Sequence, residues 1–390
     1  MAKLLLSCDE YIYRHQGRYY ASNQEKFNFY SRYLRVFENV RFAVRCIDEE
    51  KLKPSRVLFE GPNIEIFPLP IFHGPKEYLK KYFETGKVIE HVVDGCDAAV
   101  LRLPSTVAQR ISKKVLRKGI PYATEIVFDA CDGADTSTNL LEKILWRIID
   151  KQMRSTCYKA DGVAPVTQHY LQKRYFSKKN DSFASYYSSL ELVKEFFTGP
   201  RKFPENKRML IAHVDNQIGL FSRKGTAEII RALELLKNEG LIVNVEFAGD
   251  DWDNSTQKIL AYAKEHGVEN QVSCPGFLNR AQLAEFLDRA DLFVLPTKAE
   301  GLPRVIIEAI AKGLPCVTTP ASGNPELIPS NYLVGYSDVI AIAEKIKTLV
   351  TDKTAYEKAS EENFEHSLEY EASILEVRRD AFYHQLKNRI

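Results

Sequence analysis

Short apolar, β-rich runs alternate with longer amphipathic runs along the whole chain, and the alternation stops and restarts once. Strands are expected at Lys3–Cys8, Phe42–Ile47, Ile64–Leu69, Ala98–Leu103, Tyr122–Val127 and Gly162–Val166. Helical patterns lie between them at Gln24–Glu38, Glu77–Val93, Thr106–Lys118, Leu140–Tyr158 and His169–Tyr175. Strand–helix alternation reads as parallel sheets with helices on both faces. The two prolines and the glycine of Gly199-Pro-Arg-Lys-Phe-Pro204 break the pattern and read as a linker. Beyond it, strands are expected at Met209–Val214, Val243–Ala248, Val272–Cys274, Leu292–Pro296 and Cys316–Thr319. Their helices are Lys224–Asn238, Ser255–His266, Ala281–Ala290 and Pro303–Lys312. After Tyr332–Val334 the tail from Ser337 is helical. At 390 residues the chain has room for two such domains, each with its own core.

Composition excludes several classes. Hydrophobic residues at 45% and charged residues at 27% rule out disorder and coiled coil. Fifty-four lysines and arginines against 52 acids leave a formal charge of +2, far from the basic excess of a dedicated nucleic-acid binder. The seven scattered cysteines form no Cys-x-x-Cys pair and no zinc spacing with histidine, so they suit a reducing cytosol. MAKLLLSCDEY is too short for a signal peptide, and no run of about 20 apolar residues offers a membrane span. The stripe Leu140, Leu141, Ile144, Leu145, Ile148, Ile149, Met153, with Lys143, Arg147, Lys151 and Arg154 interspersed, reads as a packed helix or as one lying on a membrane surface.

The informative stretch is Leu292–Glu326. A buried strand ends at Pro296, a polar loop follows, and a helix is expected to open with Pro303 as its first residue, where a missing N–H costs nothing. The loop thereby aims free amides and a positive helix end at whatever binds there. Glu300 stands before the helix and Glu308 eight positions later. A carboxylate accepts two hydrogen bonds from a vicinal diol, so both suit a sugar or ribose, with an incidental loop acid and an exposed helix acid as the alternative.

Phe247-Ala-Gly-Asp250, Pro275-Gly-Phe277, Ala290-Asp-Leu-Phe-Val-Leu-Pro296, Glu300-Gly-Leu-Pro303, Glu308-Ala309, Gly313-Leu-Pro315 and Gly323-Asn-Pro-Glu326 occur in this order. Together they resemble the Glu-x7-Glu region of retaining glycosyltransferases of family four, over nearly the whole carboxyl domain. The resemblance implies the GT-B fold: two doubly wound Rossmann-like domains facing a central cleft. Residues 1–200 would form the acceptor domain, 204–368 the donor domain, and helix 371–390 would pack back on the first.

The family likeness also implies roles. Glu308 would bind the ribose of a nucleotide-diphosphate sugar, and Glu300 the transferred sugar near the reaction centre. Amides of Gly301, Leu302 and Arg304 would meet the sugar or diphosphate. Lys224, in Arg223-Lys224-Gly225, matches the family's phosphate-binding lysine; the arginine many members carry five residues before that lysine is Gly219 here, so either Arg223 would supply the second cation or the site would work with one. Asp250 and Glu326 fall near the nucleotide and donor, with a strand-end turn and a helix cap as their plain readings. His213 and His266 read as structural.

On the acceptor side, Gly17 in Arg14-His-Gln-Gly-Arg18 stands for the family's glycine-rich loop, amid Tyr11, Tyr13, Tyr19 and Tyr20. Asp129 and Asp132, after the fifth strand, are candidates to orient an acceptor hydroxyl, Asp129 as a catalytic residue. The likeness implies a retaining hexosyl transfer without metal or cofactor, in which the leaving phosphate helps deprotonate the acceptor. Expected partners are the nucleotide-diphosphate sugar and a saccharide or lipid-linked saccharide in polysaccharide or glycolipid synthesis. The expected location is the cytoplasm, with peripheral contact at the inner face of the membrane left open. The alternatives are a noncatalytic nucleotide-sugar-binding scaffold of the same fold and, more remotely, a sugar-nucleotide epimerase.

Overall fold

The computed structural model describes residues 2–72, 77–78, 80–137, 139–205 and 208–390. They form two compact units, Met1–Ser189 with Glu376–Ile390, and Leu190–Leu375.

The first unit holds β1 (Lys3–His15), β2 (Arg18–Ala21), β3 (Asn39–Asp48), β4 (Val57–Leu58), β5 (Ile64–Leu69), β6 (Ala98–Leu103), β7 (Tyr122–Ile126), β8 (Gly162–Pro165) and β9 (Phe183–Ala184). Parallel pairing runs β5-β3-β1-β6-β7-β8-β9, which places the first strand beside the later ones and makes a topological switch between β1 and β6. Leu4, Leu5, Leu6, Ala98, Ala99 and Val100 are wholly buried. Covered on both faces, these strands read as unbroken apolar runs rather than alternating ones.

β1 runs seven residues past the expected end. Its register against β3 shifts between Ser7 and Tyr11, a bulge that bends the strand and lets its far half pair antiparallel with β2. Of the helix expected over Glu77–Val93, the described element is Tyr82–Val88, and Leu79 lies outside the described residues. Leu171–Lys173 makes a single tight turn where a helix was expected over His169–Tyr175.

At the centre of this unit lies Glu125, 1% exposed. Its Oε2 accepts from Tyr33 at 3.0 Å, Arg102 at 2.9 Å and Arg32 at 3.3 Å. Its Oε1 accepts from Tyr187 at 3.0 Å and Tyr383 at 2.5 Å. Tyr383 belongs to the terminal helix Ala372–Lys387, whose residues from Glu376 onward pack in this unit. Arg35 on Glu376 and Asp380, and Phe183 on Phe382, fasten the same helix.

The second unit holds β10 (Leu210–Ile218), β11 (Asn244–Asp251), β12 (Val272–Gly276), β13 (Leu292–Leu295) and β14 (Cys316–Thr318). The order is β12-β11-β10-β13-β14, all parallel, with the switch between β10 and β13. Leu333 makes only an isolated bridge to Thr318 where a further strand was expected. The supposed linker is built into this unit. The Arg201 guanidinium donates to the carbonyls of Leu287, Asp288, Ala290 and Lys312, and its amide donates to Ser360 Oγ at 2.6 Å. Four main-chain acceptors on one guanidinium hold a segment that proline and glycine alone would leave loose.

Burial alone would raise the Glu125 carboxyl, yet Arg32, Arg102 and the tyrosine hydroxyls bring it down from 4.5 to about 2. A folded pKa below the unfolded one adds stability above pH 4.5 that is lost as pH falls towards about 2. The shift amounts to roughly 3 kcal/mol. Acid titration of unfolding should therefore show a loss of this size in that window for the native chain and a smaller one for Glu125→Gln. An identical acid limb in the variant would mean the carboxylate is not the group responsible.

Candidate functional site

The loops after β10 and β13 flank the switch of the second unit, the place where an open parallel sheet leaves room for a ligand. β10 carries a bulge between Val214 and Gln217 before the chain turns through Gly219–Gly225 into the helix Thr226–Asn238. Gly225 caps that helix at φ +84, and a Cβ there would lie 2.5 Å from Pro296 Cγ and 2.6 Å from Pro296 O. Only glycine tolerates both the left-handed backbone and the close approach. The contact brings the two loops together, and the Lys298 amide donates to Arg223 O at 2.8 Å across the seam.

Lys224 and Glu300 meet at this seam in a direct ion pair, both side chains largely buried. The Glu300 amide donates to Ser322 Oγ at 3.3 Å, and Gly323 N–H to Gly301 O at 3.0 Å, so the loop after β14 supports the Glu300 loop. Thr319 donates to Thr297 O, and Asn324 Nδ2 to Thr318 Oγ1 at 2.9 Å and Thr319 O at 3.1 Å.

The helix after Glu300 spans Arg304–Ala311. Pro303 is its N-cap, at φ −70 and ψ 111, so the helix begins one residue later than expected. The consequence is unchanged, since the first amides of the helix lack intrahelical acceptors. Gly301, Leu302 and Pro303 are buried, Arg304 is exposed, and Glu308 is half-buried in the second turn. Arg223 is exposed beside Lys224. Asp250 is exposed at the end of β11, and Glu326 is half-buried in the first turn of the short helix Asn324–Leu327.

Sequence reasoning overlooked Ser322, Thr297, Asp215 and the Gly225–Pro296 contact. Burial raises the Asp215 carboxyl while Lys224 and Arg223 pull it down. The glycine after Lys224 was the one visible signal. His213 is wholly buried, held by Val294 O at 2.9 Å, and burial pushes it down to about 4. It stays neutral as a structural residue.

In the first unit Asp129 has no exposure and acts as the N-cap of the helix Ala130–Thr136. It accepts from Cys131 N–H and from Tyr175 Oη, each within 2.8 Å, with Arg174 Nε 3.4 Å away. These contacts give it a structural role in place of the expected contact with an acceptor, because neither carboxylate oxygen is exposed. Asp132 is half-buried beside Tyr170.

Gly17 forms, with Gln16, a two-residue hairpin turn in which both residues have positive φ. Tyr11 and Tyr13 lie under the guanidinium groups of Arg45 and Arg56. The switch between β1 and β6 is occupied instead by Asp9, in the β1 bulge, which accepts from Ser105 Oγ at 2.9 Å. Ser105 caps the helix following β6. Burial raises the Asp9 carboxyl, against the pull of Arg45 and Ser105.

Two Rossmann-like units, the second with an ammonium, a carboxylate and two helix amino termini at its switch, define the class. The fold is that of GT-B glycosyltransferases, and residues 202–366 match the family of glycosyl transferases group 1. Over 389 residues the chain is 24% identical to Protein CapJ of Staphylococcus aureus, covering 97% of this chain and 94% of that protein. It is 32% identical over 161 residues to the putative colanic acid biosynthesis glycosyltransferase WcaL of Escherichia coli K12, over 38% of this chain and 39% of WcaL. Among solved structures, sucrose-phosphate synthase from Thermosynechococcus elongatus aligns over 100% of both chains with TM-score 0.74 at 16% identity. Anabaena HepE, solved with UDP and glucose, aligns over 98% of this chain and 99% of that one with TM-score 0.65 at 14% identity.

Gly225→Ala should destabilise the second unit by about 2–4 kcal/mol, from left-handed strain and overpacking on Pro296. Denaturant unfolding measures it. A change within a few tenths of a kcal/mol would show that the seam does not need a bare Cα.

Proposed function

We propose that the chain is a retaining glycosyltransferase of the family-four type, moving a sugar from a nucleotide-diphosphate donor to an acceptor hydroxyl. The observation that carries the reading is the Lys224–Glu300 pair at the switch of the second unit, set against the start of the helix Arg304–Ala311. The departing diphosphate gains negative charge as the glycosidic bond breaks. Lys224, Arg223 and the amides of Gly301, Leu302 and Arg304 are positioned to stabilise that charge as it develops. A positive environment of this kind serves the leaving group without requiring a metal.

In this reading the donor phosphate takes the Lys224 ammonium from Glu300, and the freed carboxylate turns to the hydroxyls of the transferred sugar. Glu308 grips the ribose, Asp250 and Glu326 border the nucleotide and donor, and the departing phosphate oxygen receives the acceptor proton. The acceptor is a saccharide or a lipid-linked saccharide held by the first unit. There Asp9 at the switch is a stronger candidate than the buried Asp129, with Gly17 on the hairpin beyond. Uridine diphosphate is the first donor nucleotide to try, given its presence in the HepE structure.

Incubation with uridine, guanosine and adenosine diphosphate sugars, following released nucleoside diphosphate, tests this reading. Lys224→Ala and Glu308→Ala should each lower kcat/KM roughly 10- to 100-fold, the worth of one charged hydrogen bond. Undiminished turnover in both variants would refute the site. Nucleotide-sugar binding without turnover over a broad acceptor panel would favour a scaffold.

A further inference from the structure

The helix Leu140–Tyr158 divides its apolar stripe between two faces. Met153 is wholly buried, and Leu145 and Ile149 are half-buried. Trp146 packs on Phe128 and on Gly133, where a Cβ would lie 2.6 Å from the indole. Four large apolar residues point outward instead: Leu140 is 73% exposed, Leu141 62%, Ile144 49% and Ile148 47%.

Leu140, Ile144 and Ile148 are four apart and form one row, with Leu141 beside it. Lys143, Arg147 and Lys151, also four apart and all exposed, form the next row, and Arg154 continues it. Asp135 pairs with Arg147 and the buried Asp150 with Arg154; Glu142 is the remaining acid on the helix. Asn139 caps the start, accepting from Leu141 N–H at 2.9 Å, so the helix keeps its form where it stands clear of the core.

Isolated exposed apolar residues need no explanation, but four neighbouring ones edged by a cationic row do. A protein core offers the apolar half of what this face requires. A bilayer surface offers both halves in one plane, hydrocarbon beneath anionic headgroups. We propose that this face docks on a bilayer bearing anionic phospholipids, with Leu140, Leu141, Ile144 and Ile148 entering the headgroup–acyl boundary and the lysine–arginine row facing phosphate. Among the described residues no helix is long and apolar enough to cross a membrane, and this attachment needs none. The surface is independent of the transferase reading, since no residue of the donor site takes part in it.

Co-sedimentation of the full chain with phosphatidylglycerol–phosphatidylcholine vesicles, against phosphatidylcholine alone, tests the proposal. Binding should require the anionic lipid and weaken at high salt. The double variant Leu141→Ser/Ile144→Ser should bind at least about tenfold more weakly. Its Tm and nucleotide binding should stay unchanged, because both side chains are exposed and belong to the first unit, whereas the donor residues belong to the second. Lys143→Glu/Lys151→Glu should lose the preference for anionic lipid.

Failure of the native chain to sediment with anionic vesicles overturns the proposal, as does equal binding by the leucine–isoleucine variant. So does a sedimentation-velocity dimer that this variant dissolves, which would assign the face to a second copy of the chain. Vesicle binding lost while nucleotide binding persists separates this surface from the donor site.

Discussion

The second unit depends on two strand-end loops approaching more closely than a Cβ allows. Gly225 lies on Pro296, and the contact fixes where Lys224 and Glu300 stand. A lysine just ahead of a helix is electrostatically misplaced, because the positive end of the helix repels it. Glu300 supplies the missing anion from the neighbouring loop, and Ser322 and Gly323 hold that loop by its backbone. The resting pair is therefore a consequence of the fold, and it keeps an ammonium and a carboxylate in place where neither would be stable alone.

The first unit solves a related problem with the signs reversed. Glu125 is a buried carboxylate given two guanidinium groups and three tyrosine hydroxyls drawn from four separate places in the chain. One of them, Tyr383, arrives on the last helix, so closing the hub also settles where the end of the chain lies within this unit. Removing a single partner leaves a buried charge short of a hydrogen bond. Such a hub fixes one arrangement more firmly than it adds net stability.

These two features explain what could and could not be read in advance. The central strands were legible because parallel strands covered on both faces are apolar throughout. Helices with side-chain caps, such as those behind Ser105, Asn139 and Asn279, were nearly as plain. Bulges were not visible, since they depend on register against a partner strand. Both first strands have one, and it gave β1 its long second half and put Asp9 at the switch. Asp129 looked like a cleft residue from its place after β7. Its burial is decided by Tyr175 and Arg174, more than forty positions on, and no local pattern records that. Arg201 likewise turns a proline-rich stretch into part of the second unit through carbonyls nearly ninety residues or more away.

The helix Leu140–Tyr158 is the complementary case, where the pattern was clear and its meaning was not. Periodicity reports which residues share a face, but not what covers that face. Here the inner residues found Phe128 and Gly133 through Trp146, which fixes the rotation of the helix and leaves Leu140, Ile144 and Ile148 outward. Rotating the helix to bury them would pull Met153 from the core and part Asp150 from Arg174. The unit accepts the exposed stripe because the alternative costs the buried Asp150 its partner and Met153 its place in the core. The stripe's cationic edge then determines which environment can cover it.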